Sequence, residues 1–457
     1  MSEQLSWRSE FAEMLRLGVP LALTQLAQIA INTTDVMFMG RLSADALAAG
    51  GLAMGLLFPL LYFGVGVMSV TAPVVAQAVG RRDIRDARRA VRQALWLALL
   101  VALPAMLVLT QAKTLLAIFG QDVGVAASSH DYLQAMMWGL PAVLGFTVLR
   151  GFIAAFSRTR AVLVISVFGV LANALLCWAL MFGTLGLPRL ELVGAGIAAS
   201  LVNWLMLLLL GGHILLDRTF RRYHLLGRWW RVDWRHLVGL ARLGLPVGLT
   251  LVMETGIFGA AALVMGALGT AELAGHQIAL QLAAITFMVP LGIGQAATVR
   301  VGLAVGRQDL TGLRRAGWSA ILLGCLFMAG TALLFWLVPG PLVGLFLRAD
   351  DEASRRAMDF AMIYLGIAGL FQLVDGAQVV AQGALRGMRD TTGPMLIAGG
   401  GYWLVGFPIC AWLGLYSDWR GAGVWTGLAV GLAVVALALL WRFYRLSRAL
   451  PPDGAVA

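Results

Sequence analysis

The chain has 457 residues, of which 60% are hydrophobic and only 12% charged, and its mean hydropathy is +0.84. That composition excludes an ordinary water-soluble globular fold and fits lipid as the solvent. The net charge of +11 would suggest nucleic acid in a soluble protein, but here the basic residues fall in short loops between apolar runs, so they read as topology signals and no nucleic-acid partner is expected.

Taken in order, the apolar runs predict twelve transmembrane helices at roughly 17–39, 46–72, 93–112, 131–156, 161–184, 192–216, 243–266, 273–299, 316–346, 358–385, 394–415 and 421–441. The opening residues MSEQLSWRSEFAEMLRLG lack the short apolar region and small-residue cleavage site of a signal peptide, so the first span is expected to remain as an anchor. That span carries INTTDVMFMG, with Asp35 towards its outer end behind Asn32, Thr33 and Thr34. The fourth span holds Arg150 next to Gly151, an arginine expected to snorkel or to bond carbonyls. A basic loop from Asp217 to His236, with Trp229, Trp230 and Trp234, reads as an interfacial anchor between two halves.

The seventh span, GLPVGLTLVMETGIFGAAALVMGALG, places Glu254 near its middle without a basic residue close by. His276 and Gln277 open the eighth span, and Gln281 follows Gln277 by one turn; the histidine is expected to be a satisfied interhelical donor. In the tenth span, LFQLVDGAQVVAQG strands Asp375 between Gln372 and Gln378. Gly50-Gly51 and Gly399-Gly400-Gly401 would permit close helix approach or local unwinding. Cys177, Cys325 and Cys410 lie inside apolar runs without metal-ligand spacing and read as small buried hydrophobes.

Of the 34 Lys and Arg, 25 fall at the termini or in loops after even-numbered spans, which places both termini in the cytoplasm. An internal repeat runs at an offset of 226 residues. Gly18-Val-Pro20 matches Gly244-Leu-Pro246, Met39-Gly40 matches Met265-Gly266, and Gly80-Arg81-x-Asp83 matches Gly306-Arg307-x-Asp309, with no gap over that stretch. The expectation is an all-α polytopic membrane protein with two pseudo-symmetric six-helix lobes, an N-lobe over 1–225 and a C-lobe over 226–457, related by an axis along the membrane normal.

A carboxylate inside a span costs several kcal/mol unless something uses it, so Asp35, Glu254 and Asp375 are the candidate functional groups. Such a group can hold a proton, a sodium ion or a cationic organic substrate, but not all at once, and that competition is an antiport mechanism in outline. Met253, Phe287, Met288 and Phe371, with Gln281 and Gln378, are the candidate cavity lining for flat cationic substrates. Gly80-Arg81-Arg82-Asp83 does not continue into a phosphate-binding pattern, and no cofactor or ATP-driven engine is expected.

These residues carry a resemblance. The segments GVPLALTQLAQIAINTTDVMFMGRLSADALAAGGLA and LVMETGIFGAAALVMGALGTAELAGHQIALQ, together with GALRGMRDTTGP after the tenth span, resemble the multidrug and toxic compound extrusion (MATE) transporters, in their bacterial NorM-like branch. The resemblance spans essentially the whole chain and implies a V-shaped pair of lobes, alternating access, and export of cationic aromatic compounds in exchange for H⁺ or Na⁺. It implies a secondary transporter rather than an enzyme, in the bacterial cytoplasmic membrane. It further implies that Asp35 works with Asn173 and Ser200, that Na⁺ could sit at Glu254 and Asp375, and that the acidic loop Asp350, Asp351 and Glu352 faces the outer mouth near bound drug. Two positions depart from the family pattern: Cys177 replaces an amide or carboxylate one turn after Asn173, and Phe371 replaces a tyrosine one turn before Asp375. Both departures remove oxygen ligands, which favours H⁺ over Na⁺. A monomer is the expected unit.

The competing readings are a flippase for lipid-linked sugars or other amphiphiles on the same architecture, a major-facilitator transporter, and a polytopic enzyme. The first would line its cavity with several basic residues, whereas only Arg150 and Arg300 lie outside loops and termini. The flanking segments quoted above speak against the second. The scattered histidines His130, His213, His224, His236 and His276 speak against the third.

Overall fold

The structure, a computed structural model, describes residues 7–449 apart from 119, 185, 226, 228, 229 and 348–350. Trp229 and Asp350, both singled out above, lie outside the described residues. Among the described residues twelve helices are long and apolar enough to cross a membrane. They are α1 (Trp7–Leu42), α2 (Ala44–Gly80), α3 (Ile84–Thr110), α4 (Val123–Ala154), α5 (Arg160–Phe182), α6 (Glu191–Leu216), α7 (Trp234–Leu268), α8 (Thr270–Gly306), α9 (Leu310–Leu337), α10 (Glu352–Gly387), α11 (Thr392–Tyr416) and α12 (Arg420–Ala449). The chain is an all-α, multi-pass membrane protein.

The helices run past their apolar cores because polar residues cap them in the loops. Ser43, Asp83, Asp309 and Asp351 each accept a hydrogen bond from a backbone N–H in the first turn of the helix that follows, leaving fewer unpaired donors at that end. The repeat extends to these details. Asp83 and Asp309 cap α3 and α9 at equivalent positions, and the residues before them, Arg82 and Gln308, both turn left-handed, with φ of 61° and 59°. Asp83 N donates to Ala78 O and Asp309 N to Ala304 O, each at 2.9 Å.

The helices assemble into two compact units, one of residues 24–248 and the other of the described residues up to 23 together with those from 249 onward. The unit boundaries therefore fall inside α1 and α7 rather than in the connection between the repeats. In each helix the boundary lies within a turn of a proline, Pro20 or Pro246, where one helical hydrogen bond is missing.

Within the first unit a Cβ on Gly66 of α2 would stand 2.7 Å from Gly248 Cα of α7, and one on Gly244 would stand 2.6 Å from Val67 O. Within the second, the repeat-equivalent Gly292 of α8 has the same closeness to the Ala22 backbone of α1. Glycine there lets the opening halves of α1 and α7 pack backbone to backbone. The second unit also pins its piece of α1 electrostatically: Arg300 Nη2 and Nε donate to the two Glu10 oxygens at 2.6 and 2.9 Å, with the glutamate side chain only 3% exposed. The other intramembrane arginine, Arg150, donates to the side-chain amide oxygen of Gln25, Oε1, at 2.8 Å.

α11 contains the one π-helical stretch among the described residues, Gly400–Gly406. Gly401 and Gly406 lie against Gly431 of α12 there, so the glycine run serves both close approach and local unwinding.

Candidate functional site

The three carboxylates fall in two places, one per unit. In the first unit Asp35 of α1 is buried against α5. Asn173 Nδ2 donates to Asp35 Oδ1 at 2.7 Å and the Cys177 thiol donates to the same oxygen at 3.2 Å. Asn173 and Cys177 are four residues apart, hence on one face of α5, and both are fully buried. Tyr132 of α4 lies near enough to act electrostatically on Asp35 and Cys177, and its hydroxyl is buried with no hydrogen-bond partner. The Asn173 carbonyl oxygen is likewise unpartnered.

Cys177 is thus more than a small hydrophobe: it supplies a donor where the sequence reading saw only a lost oxygen. Ser200 is placed differently from expectation. Its hydroxyl donates to the carbonyls of Ala135 and Met136, at 2.8 and 3.1 Å, and makes no hydrogen bond to Asp35.

In the second unit Glu254 of α7 and Asp375 of α10 interact electrostatically with each other. Gln378, one turn below Asp375 on α10, lies near the Glu254 carboxylate, and its amide donates to the Tyr402 hydroxyl of α11. Tyr402 lies within the π-helical stretch, fully buried, and within electrostatic reach of both acids. Arg386, three turns below Asp375 on α10, acts on Glu254 as a cation. The sequence reading missed Tyr402 and Arg386. It flagged the glycine run beside Tyr402, but a lone phenol ten residues past the start of α11 carries no spacing signal of its own.

The weaker lining residues do not form one set. Phe371 is fully buried, packed edge-to-face on Phe258 and Trp425 at centroid distances of 6.1 and 5.7 Å. Phe287 and Met288 are partly exposed and Gln281 exposed. The Met253 carbonyl accepts from Trp403 Nε1 at 3.2 Å, and its sulfur lies against Gly399. Asp351, expected near bound drug, is the α10 cap and accepts from Ser354 N at 2.6 Å. His276 is not a satisfied donor: both ring nitrogens are buried without a partner. Among the described residues no group of three or more His, Cys, Asp or Glu could hold a metal ion.

Comparison with known proteins bears on this arrangement. The MatE family profile matches residues 20–179 and 246–412, the two repeats. The chain is 45% identical over 448 residues to a probable multidrug resistance protein NorM of Mesorhizobium japonicum, covering 98% of this chain and 96% of that one. It is 43% identical over 447 residues to the protein of the same name in Brucella suis, covering 97% and 95%. Among solved structures it is similar to the eukaryotic MATE transporter AtDTX14, with a TM-score of 0.86 at 20% identity over 97% of this chain and 98% of that one. An outward-facing MATE family transporter of the MOP superfamily gives the same TM-score at 19% identity over 96% and 97%. A profile matched on both repeats, near full-length relatives and a shared fold lead to one conclusion: the chain belongs to the MatE family, as a MATE transporter of the NorM-like branch.

Proposed function

We propose that the protein is a secondary active multidrug antiporter that exports cationic aromatic compounds by alternating access, as a monomer in the bacterial cytoplasmic membrane with both termini in the cytoplasm. The observation that carries this reading is the pair Glu254 and Asp375, two carboxylates within electrostatic reach of each other inside a membrane-spanning unit, with the hydrogen-bonded pair Gln378 and Tyr402 beside them. Acids placed inside a membrane span bind one cation at a time, so an entering ion displaces the cargo. The NorM relatives are named as probable multidrug resistance proteins, which supports the multidrug part of this reading. The rocking lobes follow the two six-span repeats expected at 1–225 and 226–457, with the start of each repeat's first helix carried by the opposite unit.

The coupling ion is H⁺. Asp35 faces an amide N–H and a thiol, both donors, whereas Na⁺ needs several oxygen lone pairs at once. Donors of this sort hold a carboxylate that gains and loses a proton without a metal ion.

Efflux of a fluorescent aromatic cation from proteoliposomes, driven separately by a pH gradient and by an opposing Na⁺ gradient, tests the reading. Efflux under the pH gradient alone is expected. Efflux under Na⁺ alone would overturn the choice of ion, and no response to either would turn attention to an amphiphile flippase on the same architecture.

A further inference from the structure

Several polar groups of the second unit have no role in the acid pair, and they lie along one path. At the end of the helices away from the chain termini, Arg420 of α12 donates to Glu272 of α8 at 2.5 Å and to Leu268 O at 2.9 Å. One turn along α8 is His276, fully buried, with neither ring nitrogen bonded. Its ring meets Trp425 of α12 edge-to-face at 5.6 Å, and the Trp425 indole N–H is also buried and unpartnered. The Tyr364 hydroxyl of α10, next to Gly421 and electrostatically coupled to both Glu272 and Arg420, is a third such group. Beyond Trp425 the path reaches Phe371 and then Gln372, whose amide donates to Thr286 while its carbonyl oxygen is unpartnered. Asp375 follows one turn after Phe371.

An unpaired buried polar group is destabilising, and nearly all such groups in folded proteins have a partner. Four residues carrying them in sequence, on the three facing helices α8, α10 and α12, would be a large cost if the space between them were dry. Ordered water is the partner that serves donors and acceptors alike, and it occupies buried sites that offer two to four polar groups.

We propose that water fills this path and forms the route by which protons reach Asp375 from the side of the Glu272–Arg420 ion pair, with His276 as the relay. A proton arriving on water binds one ring nitrogen as the other nitrogen releases its proton to the next water. Past Trp425 and Gln372 the chain of transfers ends on the Asp375 carboxylate. Trp425, a donor only, orients the water without carrying the proton. The titratable and charged groups nearest His276 on this path are Glu272, one turn away on its own helix, and the two groups beside that glutamate, Arg420 of α12 and the Tyr364 hydroxyl of α10. The ion pair closes the entrance and must open for water to exchange. The inference rests on H⁺ being the coupling ion.

Two measurements test it. Millisecond hydroxyl-radical footprinting of the wild-type protein probes the water directly and needs no transport. Tyr364 and Trp425 should be modified at least tenfold faster than Phe335 and Phe443, which are equally buried. Equal rates would overturn the hydrated path. In proteoliposomes with an acidic exterior, His276→Phe should lower proton-driven efflux at least tenfold, while His276→Gln, which can order water but cannot carry the proton, should fall as far. Efflux at the wild-type rate in either variant, with drug binding intact, would overturn the relay. A wild-type protein that moves no drug under a pH gradient would instead refute proton coupling, and the footprinting would still decide whether the path holds water.

Discussion

At the residue scale, Asp35 owes its setting to two donors that lie far from it along the chain. A carboxylate in an apolar run is conspicuous because nothing nearby in sequence can neutralise it, so Asp35, Glu254 and Asp375 stood out from composition alone. Asn173 and Cys177 meet Asp35 from about 140 positions further on, and only the packing of α5 against α1 brings them there. Cys177→Ala removes a donor from Asp35 and Cys177→Ser keeps one, so the alanine variant should shift the pH profile of efflux while the serine variant stays near wild type. Identical profiles in all three would dismiss the thiol as a working partner. Glu254→Gln and Asp375→Asn should leave a folded, inserted protein that exports no drug, measured by gel filtration alongside efflux. Loss of the folded peak would mean that these acids serve packing instead.

At the scale of the element, α11 gives the clearest case of a hint that could be only half read. Gly399-Gly400-Gly401 announced an irregular helix, yet that the irregularity would be a π-helical stretch aiming Tyr402 at Gln378 depended on α12 lying against Gly401. π-helical turns often mark functional positions, and this one supplies a hydroxyl oxygen beside the acids, offsetting what Phe371 lacks. Gly401→Val would drive a branched side chain into Val435 and should destabilise the protein by about 1–3 kcal/mol, read as a lower thermal midpoint in detergent.

The start of α10 is a second case. Hydrogen bonding to Ser354 holds the Asp351 carboxyl below its usual range. The cap's stabilisation is therefore present at neutral pH and is lost as pH falls through that lowered value. Asp351→Asn, which can still cap, should keep the first turn of α10 in hydrogen exchange. Asp351→Ala should expose its amides, and equal protection in both would show that the cap contributes nothing.

For the whole molecule, the repeat was readable because matching glycines, prolines and capping acids serve the backbone, which both halves share. The chemistry does not repeat: the positions equivalent to Asp35 and Glu254 are Ala261 and Gln28. What no repeat analysis could give is the exchange of helix halves, since Pro20 and Pro246 look alike whichever unit each segment joins. The ion pair between Glu10 and Arg300 belongs to this scale, because it holds the start of α1 within the second unit. Glu10→Ala strands a buried guanidinium and should cost about 3–5 kcal/mol of stability. Glu10→Leu combined with Arg300→Met should recover most of that in thermal unfolding. A double variant as unstable as the single one would assign the cost to lost packing instead of the stranded charge.

The exchange also sets an order of assembly. Residues 7–23 leave the ribosome first, yet the helices they pack with begin more than two hundred residues later. The unit made earliest, 24–248, stays open along Gly66 until the start of α7 has been synthesised. During translation each half is thus an unfinished product awaiting the other. A chain cut between the repeats would yield two fragments that mature only when made together.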